Sequence, residues 1–100
     1  MRISVLKDGI DYRKITKNNL SDFVSKRTVR NRKKILSYLK QNDDQSIVSP
    51  RTYRDPVTNK IVVSPIETHE KDGFVWSNVT TYLFEKYNIS LNEKFIEFFQ

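Results

Sequence analysis

The 100-residue sequence contains no cysteine, one histidine, two glycines and three prolines. The absence of cysteine excludes disulfides, thiolate nucleophiles and zinc sites built on cysteine ligands, and it fits a reducing compartment. Two glycines are too few for a glycine-rich loop around a phosphate, which disfavours nucleotide-binding enzymes. No apolar run approaches the roughly 18 residues of a membrane span, and the first residues lack a signal-peptide pattern. We therefore expect one intracellular, cytoplasmic domain over residues 1–100 that contacts no membrane.

The single histidine leaves little scope for metal or acid–base chemistry. His69 lies in the polar stretch 67–72, where we expect it to be exposed. Three acidic neighbours in the same stretch accompany only this one imidazole, whereas zinc and iron sites usually combine several histidine or cysteine ligands. We predict no metal, no cofactor and no catalytic residue. We interpret the acidic pair Asp43–Asp44 as part of a polar loop and not as a general acid and base.

Positive charge is concentrated in the first part of the chain. The net charge is +6, but residues 1–40 hold twelve Lys or Arg against three Asp, whereas residues 41–100 hold six against nine acidic residues. The densest block is the stretch 26–34, in which six of nine residues are cationic. A surface of this kind needs a polyanion, and nucleic acid is the commonest one, because each cation that neutralises a phosphate releases a counterion.

The apolar residues around this block predict two short helices with a break between them. At about 100° per residue, the apolar positions before the block and those within and after it fall on different sides of one helix. We therefore expect a first helix that begins at Leu20. A second helix, capped by Ser25 or Thr28, should end near Lys40. Its charges face outward except for Arg32, which falls on the apolar side and needs a partner or a route to solvent.

The stretch 20–30 resembles the helix-turn-helix phrase in which a Ser-x-x-Thr-Val segment opens the recognition helix. It reads Leu-Ser-Asp-Phe-Val-Ser-Lys-Arg-Thr-Val-Arg and lacks the usual glycine of the turn. The resemblance implies that the second helix lies in the major groove of DNA. The residues that would then contact the groove are Lys26, Arg27, Arg30 and Asn31.

Alternation predicts a hairpin at the start of the chain. Ile3 and Val5 alternate with polar residues, and apolar residues resume after Asp8-Gly9. Asp-Gly is a favoured two-residue turn, because both of its residues tolerate a positive φ. We therefore predict a β-hairpin over about residues 2–15.

β-Branched and aromatic runs between residues 47 and 76 predict a small antiparallel meander. Its turns are expected at residues 55–60 and at Asp72-Gly73. A hairpin directly after a basic helix resembles the order of elements in winged-helix proteins. The cations of such a wing would be Arg51, Arg54 and Lys60.

A second resemblance covers about thirty residues from Asp55-Pro56 to Leu83. With Pro65, Gly73 and Trp76 between these ends, the pattern is similar to that of the U-box domains of ubiquitin ligases. The chain lacks the length for the second loop with which that family holds its conjugating enzyme.

Two amphipathic helices are predicted at the C-terminus. Ser77 can cap the first, which should end near Asn88, and residues 90–93 form a capping box for the second. The apolar stripe of the last helix comprises Leu91, Phe95, Phe98 and Phe99. We interpret the stripe first as core packing, and second as a homodimer surface formed by the three phenylalanines.

The fold class that these patterns predict is α+β, a small single domain with an N-terminal β-hairpin, two short helices, an antiparallel β-meander and two C-terminal helices. The function that they predict is a non-enzymatic module that binds RNA or DNA phosphates through the basic helix. The predicted nucleic-acid-binding residues are Lys26, Arg27, Arg30, Asn31, Lys33, Lys34, Arg51, Arg54 and Lys60.

Two alternatives stay open. The first is a small inhibitor or adaptor, such as a mobile-element-encoded blocker of a host nucleic-acid-guided nuclease, whose basic face docks on an acidic or nucleic-acid-bound protein. The second is a small metal-independent ribonuclease. Its candidate residues are Tyr12, Tyr53, His69, Arg51 and Arg54. The two tyrosines also have cationic neighbours, as in proteins that stack bases on exposed rings, although packing against a strand is the simpler interpretation.

Overall fold

The structure is a computed structural model that describes residues 2–41 and 46–100. Within these residues the strands are β1 (Ile3–Ser4), β2 (Ile47–Ser49), β3 (Tyr53–Arg54), β4 (Ile61–Val63), β5 (Ile66–Lys71) and β6 (Phe74–Ser77). The helices are α1 (Arg32–Leu39), α2 (Asn78–Tyr87) and α3 (Glu93–Glu97), and 3-10 turns occur at Lys7–Gly9, Tyr12–Lys14 and Leu20–Asp22. The acidic pair Asp43–Asp44 lies outside the described residues. Nowhere in the two described ranges is a helix both long and apolar enough to cross a membrane.

The predicted α+β class is confirmed, with the strands divided over two sheets. The main sheet has the order β1-β6-β5-β2, in which β5 pairs antiparallel with both β6 and β2. The turn between β5 and β6 is the predicted Asp72-Gly73, whose residues have φ angles of 55° and 84°. The second sheet is the predicted hairpin of β3 and β4 around residues 55–60. The hairpin and the Asp72-Gly73 turn predicted for the middle of the chain are therefore present, but the strands form two sheets and not one meander, and the long strand β5 was not predicted.

The predicted N-terminal hairpin is wrong. Strand β1 instead pairs parallel with β6, with Ile3 opposite Phe74. Asp8 and Gly9 have the positive φ angles that a hairpin turn requires, 57° and 64°, yet they close a 3-10 turn that leads away from β1. An alternating pattern shows that a strand has a buried face but does not select its partner, and the edge of β6 competes successfully for this one.

The prediction of a first helix that begins at Leu20 is also wrong. Leu20–Asp22 forms a single 3-10 turn, after which Val24 pairs with Ile89. The break predicted around Ser25 to Thr28 continues to Asn31, and α1 begins only at Arg32. The helix-turn-helix interpretation is therefore wrong, and with it the winged-helix resemblance loses its support. The end of α1 at Leu39 agrees with the predicted end near Lys40.

Helices α1 and α3 pack against aromatic residues of β6. The buried indole of Trp76 donates a hydrogen bond from Nε1 to the carbonyl of Leu39, at 3.1 Å. The ring of Tyr38 lies 5.3 Å from that of Trp76, and Phe95 lies 5.0 Å from Phe74. Aromatic pairs at these separations add to the stability that burial of apolar area provides. These contacts fix the position of α1 on the main sheet, and therefore also the position of its outer face.

The caps of the C-terminal helices agree with the sequence in one case and differ in the other. The side chain of Ser77 accepts a hydrogen bond from the backbone N–H of Thr80, as predicted for α2, and α2 ends at Asn88 in the left-handed conformation. Helix α3 is capped by Asn92, whose side chain accepts from Lys94, and not by Ser90. Either residue can cap a helix, and the backbone of Ser90 is instead bonded to Phe23 and Lys7.

Candidate nucleic-acid interface

The cationic segment, residues 26–34, begins as an irregular chain fixed at its backbone. The amide of Asn88 donates from Nδ2 to the carbonyls of Ser25 and Arg27, at 3.1 and 3.0 Å. The hydroxyl of Ser25 also donates to the carbonyl of Arg27, at 3.0 Å. The side chains of Lys26, Arg27 and Arg30 are exposed. These three cations therefore project from an anchored backbone and not from a recognition helix.

The second half of the segment is the first turn of α1. Lys33 and Lys34 are exposed there, while Ile35 and Leu39 are buried against the core. Charge and apolar surface are thus separated on the two sides of the helix, as expected for an amphipathic surface helix. The lysines stand on a rigid element.

Arg32 has found the partner that its apolar position requires. Its guanidinium carbon lies 4.9 Å from the ring centre of Phe84, and Nη2 donates to the carbonyl of Glu85 at 2.8 Å. The carbonyl of Glu85 belongs to the last turn of α2, where the helix dipole favours a cation. Nη1 is buried and has no hydrogen-bond partner in the described part of the chain. Arg32 therefore ties α1 to α2 and is not available to a ligand.

Asn31, expected to contact nucleic acid, has its donor group engaged within the protein. It adopts a left-handed conformation with φ of 62°, which asparagine tolerates better than most residues. Its Nδ2 donates to the carbonyl of Phe99 at 2.8 Å. A side chain held in this way supports the start of α1, and base recognition by its amide would require that bond to break.

The exposed cations of the prediction have no acidic partners within residues 2–41 and 46–100. Four other cations form salt bridges in the described ranges, namely Arg2 with Glu70, Arg13 with Asp11, Lys40 with Glu85 and Lys86 with Asp55. None of the eight predicted cations does so with a described residue. They are Lys26, Arg27, Arg30, Lys33, Lys34, Arg51, Arg54 and Lys60. The first five of these cations belong to the cationic segment, and the last three are the hairpin cations. The positive charge of these two groups is therefore not neutralised by any carboxylate of the described residues.

The hairpin cations lie on a different element from the cationic segment. Arg51, Arg54 and Lys60 are exposed, and Arg54 donates from Nη1 to the carbonyl of Asn59 at 2.9 Å. Helix α2 packs against α1 and also against β4. A groove of about 400 Å³ between the end of α1 and β4 is lined by carboxylates as well as by Lys40. The structure therefore does not bring the two groups together in one continuous basic surface.

The hairpin itself is anchored by a buried carboxylate that sequence reasoning did not single out. Asp55 is 1% exposed and accepts hydrogen bonds from the hydroxyls of Tyr82 and Tyr87, at 2.5 and 2.7 Å. It also accepts from the backbone N–H groups of Val57 and Thr58, at 2.7 and 2.9 Å. We call Asp55, Tyr82, Lys86 and Tyr87 the Asp55 cluster. The cluster joins the turn of the hairpin to α2.

The electrostatics of the Asp55 cluster follow from this geometry. Burial by itself would raise the pKa of Asp55, but the hydrogen bonds from Tyr82, Thr58, Tyr87 and Val57 outweigh burial and hold that pKa well below its ordinary value. Hydrogen bonding to Tyr82 and Asp55 raises the pKa of Lys86. The carboxylate is therefore ionised and fully occupied as an acceptor. A general base would need a free lone pair facing a substrate, which this arrangement does not offer.

His69 is buried, so the expectation that it would be exposed is wrong. It is 5% exposed, its Nδ1 lies 2.8 Å from the hydroxyl of Ser46, and its ring lies 5.7 Å from that of Trp76. Residues 66–71 form strand β5 and not a polar loop, because pairing with both β2 and β6 places this polar stretch inside the sheet. Across the two described ranges, no group of three or more His, Cys, Asp or Glu could hold a metal ion.

The residues suggested for a ribonuclease do not converge. His69 lines the groove between α1 and β4, and none of the other four candidates does. Tyr53 is 8% exposed and packs against Tyr12 with ring centres 5.5 Å apart. The two tyrosines therefore pack against each other, and the buried ring of Tyr53 offers no exposed face for base stacking.

The C-terminal phenylalanines divide between core and surface. Phe95 is fully buried, Phe99 is half-buried and Phe98 is 50% exposed. Phe95 is therefore not available to a homodimer surface, because it already lies in the core. The interpretation of the apolar stripe as core packing is confirmed for Phe95 and Leu91, which are both buried.

No protein-family model, curated protein or solved structure matches this chain. No family match supports the U-box resemblance. The function therefore has to be argued from the side chains themselves. Sequence reasoning missed Asp55 because the only local sign was an Asp-Pro turn, and its tyrosine partners lie about thirty residues later in the chain.

Proposed function

We propose that the protein is a non-enzymatic nucleic-acid-binding module that contacts phosphates through the exposed cations of the cationic segment. The observation that carries the proposal is that these side chains are exposed on an anchored backbone and have no carboxylate partner among the described residues. They are Lys26, Arg27, Arg30, Lys33 and Lys34. A polyanion is the partner that such a surface attracts.

The mechanism is electrostatic first. Each cation that meets a phosphate releases a condensed counterion, so the gain in free energy is largest at low salt. The guanidinium groups of Arg27 and Arg30 can also donate two parallel hydrogen bonds to one phosphate or to a guanine edge. Sequence preference would therefore rest on these two arginines. A cytoplasmic location is part of the proposal, and the cysteine-free composition fits it.

Binding to labelled RNA and DNA at several salt concentrations tests the proposal. The logarithm of the affinity should fall with the logarithm of salt by about 0.9 per phosphate contact on a duplex and about 0.7 on a single strand. The double substitution Lys33→Glu and Lys34→Glu should weaken binding and reduce this slope without unfolding the protein. Lys17→Glu with Lys94→Glu is the matched control, because it makes the same change in charge at exposed sites elsewhere. Absence of binding at low salt, or equal losses in both variants, would refute the proposal.

The absence of catalysis is part of the same proposal. Of the residues suggested for a ribonuclease, only His69 lines the groove between α1 and β4, and Asp55 is saturated with donors. Incubation with labelled RNA, with and without divalent metal, should leave the RNA intact. Cleavage that persists through purification and disappears with His69→Ala would show that the protein is an enzyme.

A second candidate function is the inhibitor or adaptor, and one observation favours a protein partner. Strand β2 is at the edge of the main sheet, and its Ile47 and Val48 are 72% and 57% exposed. Open edges with apolar side chains can accept a strand from another protein. If the protein blocks a guide-RNA-loaded nuclease, the unmodified protein should inhibit target cleavage by that nuclease. The Val48→Lys variant should inhibit it less. No inhibition by the unmodified protein would end this alternative.

A further inference from the structure

A hollow of about 430 Å³ lies beside the lysines of α1. Its lining residues are Lys33, Lys34, Ser37, Tyr38, Gln41 and Phe99. The hollow is shallow and open to solvent over most of its extent, so a ligand would lie on it and would not be enclosed by it. The hollow has room for one planar ring, and it opens next to two cations of the proposed interface.

The apolar part of the hollow is provided by aromatic rings that the fold holds in place. Phe99 packs perpendicular to Tyr38 and to Phe98, with ring centres 5.2 and 5.3 Å apart. Its backbone is fixed by the hydrogen bond from Asn31 to its carbonyl. Phe99 is half-buried, and part of it contributes to the lining. A ligand ring would meet an aromatic wall that needs no rearrangement.

The charged side chains among the described lining residues are all cationic. No carboxylate of residues 2–41 or 46–100 belongs to the lining, and Lys71 adds a third cation nearby, because its Nζ donates to Gln41 at 2.7 Å and lies 5.5 Å from the ring centre of Tyr38. Asp72, which is outside the lining, accepts a hydrogen bond from the Tyr38 hydroxyl at 2.8 Å. An aromatic wall with lysines at its rim suits a ligand that carries a flat ring next to a negative charge.

We propose that this hollow binds one unpaired base of a single-stranded nucleic acid, with the flanking phosphates held by Lys33 and Lys34. The inference rests on the proposed function and narrows it to single strands, because the bases of a duplex are stacked on each other and cannot enter a hollow of this kind. Ser37 and Gln41 would supply hydrogen-bonding groups at the base edge.

Phe99→Leu tests the inference, with Phe98→Leu as the matched control. Both change a C-terminal phenylalanine to an apolar residue, but only Phe99 lines the hollow, although Phe98 is the more exposed of the two. Stacking is worth about 1–3 kcal/mol per base, so Phe99→Leu should weaken binding of a single strand roughly fivefold to a hundredfold. Phe98→Leu should change it less than twofold, and neither should alter the affinity for a duplex.

A second variant avoids the core altogether. Ser37 is exposed, and Ser37→Leu would fill the hollow from its rim without touching buried packing. It should reduce single-strand affinity as Phe99→Leu does. The unmodified protein should quench the fluorescence of a 2-aminopurine base placed in the strand, and both variants should abolish this quenching. Oligo-uridine and oligo-thymidine of equal length form the two arms. Equal losses on both support capture of the base, whereas a loss on RNA alone would assign the contact to the ribose and overturn the inference.

The two proposals fail in different ways. If the glutamate substitutions at Lys33 and Lys34 abolish binding while Phe99→Leu and Ser37→Leu do not, the protein binds phosphates but the hollow holds no base. If no oligonucleotide binds at low salt, the proposed function itself is wrong. Retained binding with intact quenching in a correctly folded Ser37→Leu variant overturns the inference even if Phe99→Leu fails to fold.

Discussion

The amide of Asn31 donates to the carbonyl oxygen of Phe99 at 2.8 Å, which joins the residue before α1 to the C-terminal end of the chain. Asn31 directly precedes α1, which carries Lys33 and Lys34, and Phe99 lines the hollow beside these lysines. This hydrogen bond therefore connects the start of the cationic helix directly to the aromatic wall, between residues 68 positions apart.

Substitution of Asn31 should separate its two structural contributions. Asn31→Ala removes the hydrogen bond and places a side chain that disfavours a positive φ at 62°, so we expect a loss of about 2 kcal/mol in the free energy of unfolding. Asn31→Gly removes only the hydrogen bond and tolerates the angle, so its loss should be smaller, about 1 kcal/mol. Urea denaturation measures both. Equal stability of Asn31→Ala and the unmodified protein would show that neither contribution matters.

Asp55 should make stability depend on pH at the acidic end. Its pKa in the folded protein lies below the ordinary value of 3.8, so the folded state binds fewer protons than the unfolded state when the pH is low. The contribution of the carboxylate is then complete above about pH 4 and is lost as the pH falls further. Asp55→Asn should cost about 2–3 kcal/mol at pH 7 and progressively less below pH 4.

Asp11→Asn is the control for this prediction. The hydrogen bonds from Arg13 lower the pKa of Asp11 to about 2, but this pair lies at the surface, so its removal should change stability by less than about 0.5 kcal/mol. Denaturant midpoints at pH 7, 5 and 3 test both variants. A cost of Asp55→Asn that stays constant across this range would contradict the assignment.

Two tyrosines beside Asp55 should respond in opposite ways to loss of the hydroxyl. The hydroxyl of Tyr53 is buried and has no hydrogen-bond partner in the described residues, and burial raises the pKa of Tyr53 to about 12. Tyr53→Phe should therefore leave stability unchanged or raise it by up to about 1 kcal/mol. Tyr87→Phe removes a donor to a buried carboxylate and should cost about 1.5–3 kcal/mol. Thermal or urea unfolding of the pair tests this contrast, which would be refuted by equal losses.

The hairpin cations should matter only to a ligand long enough to reach them. Because carboxylates line the groove between the end of α1 and β4, we expect Arg51→Gln with Lys60→Gln to leave the affinity for a strand of about 8 nucleotides unchanged. For a longer strand, the same pair should reduce the salt slope by at most about 1.4. Arg54 is left unchanged in this variant because its side chain donates a hydrogen bond to the carbonyl of Asn59 within the hairpin. A loss with the short strand would show that both groups contact the ligand together.

Local patterns were reliable wherever neighbouring residues set the structure. The Asp72-Gly73 turn, the cap of α2 by Ser77 and the amphipathic face of α1 depend on residues close together in sequence, and all three are present. The same reasoning placed Arg32 on the apolar side and predicted its need for a partner, which Phe84 and the carbonyls of α2 supply.

Pairing between distant segments was decided only in the folded chain. β1 alternates as a hairpin strand would, but β6 takes it as a parallel partner, and Val24 pairs with Ile89 where a helix was expected. Each choice depends on which edge is left open by segments more than fifty residues away, and local patterns carry no information about that.

The sequence by itself determined the α+β class, the charge asymmetry and the exposed cations, because composition and short-range periodicity fix which residues face water. The tertiary structure alone decided that Asp55 would be buried among hydroxyl donors, and that Phe99 would stand beside Lys33 and Lys34. A buried carboxylate needs donors from several elements, and the aromatic wall needs residues from both parts of the chain, Tyr38 in α1 and Phe99 after α3. Such sites exist only once long-range packing has brought those elements together.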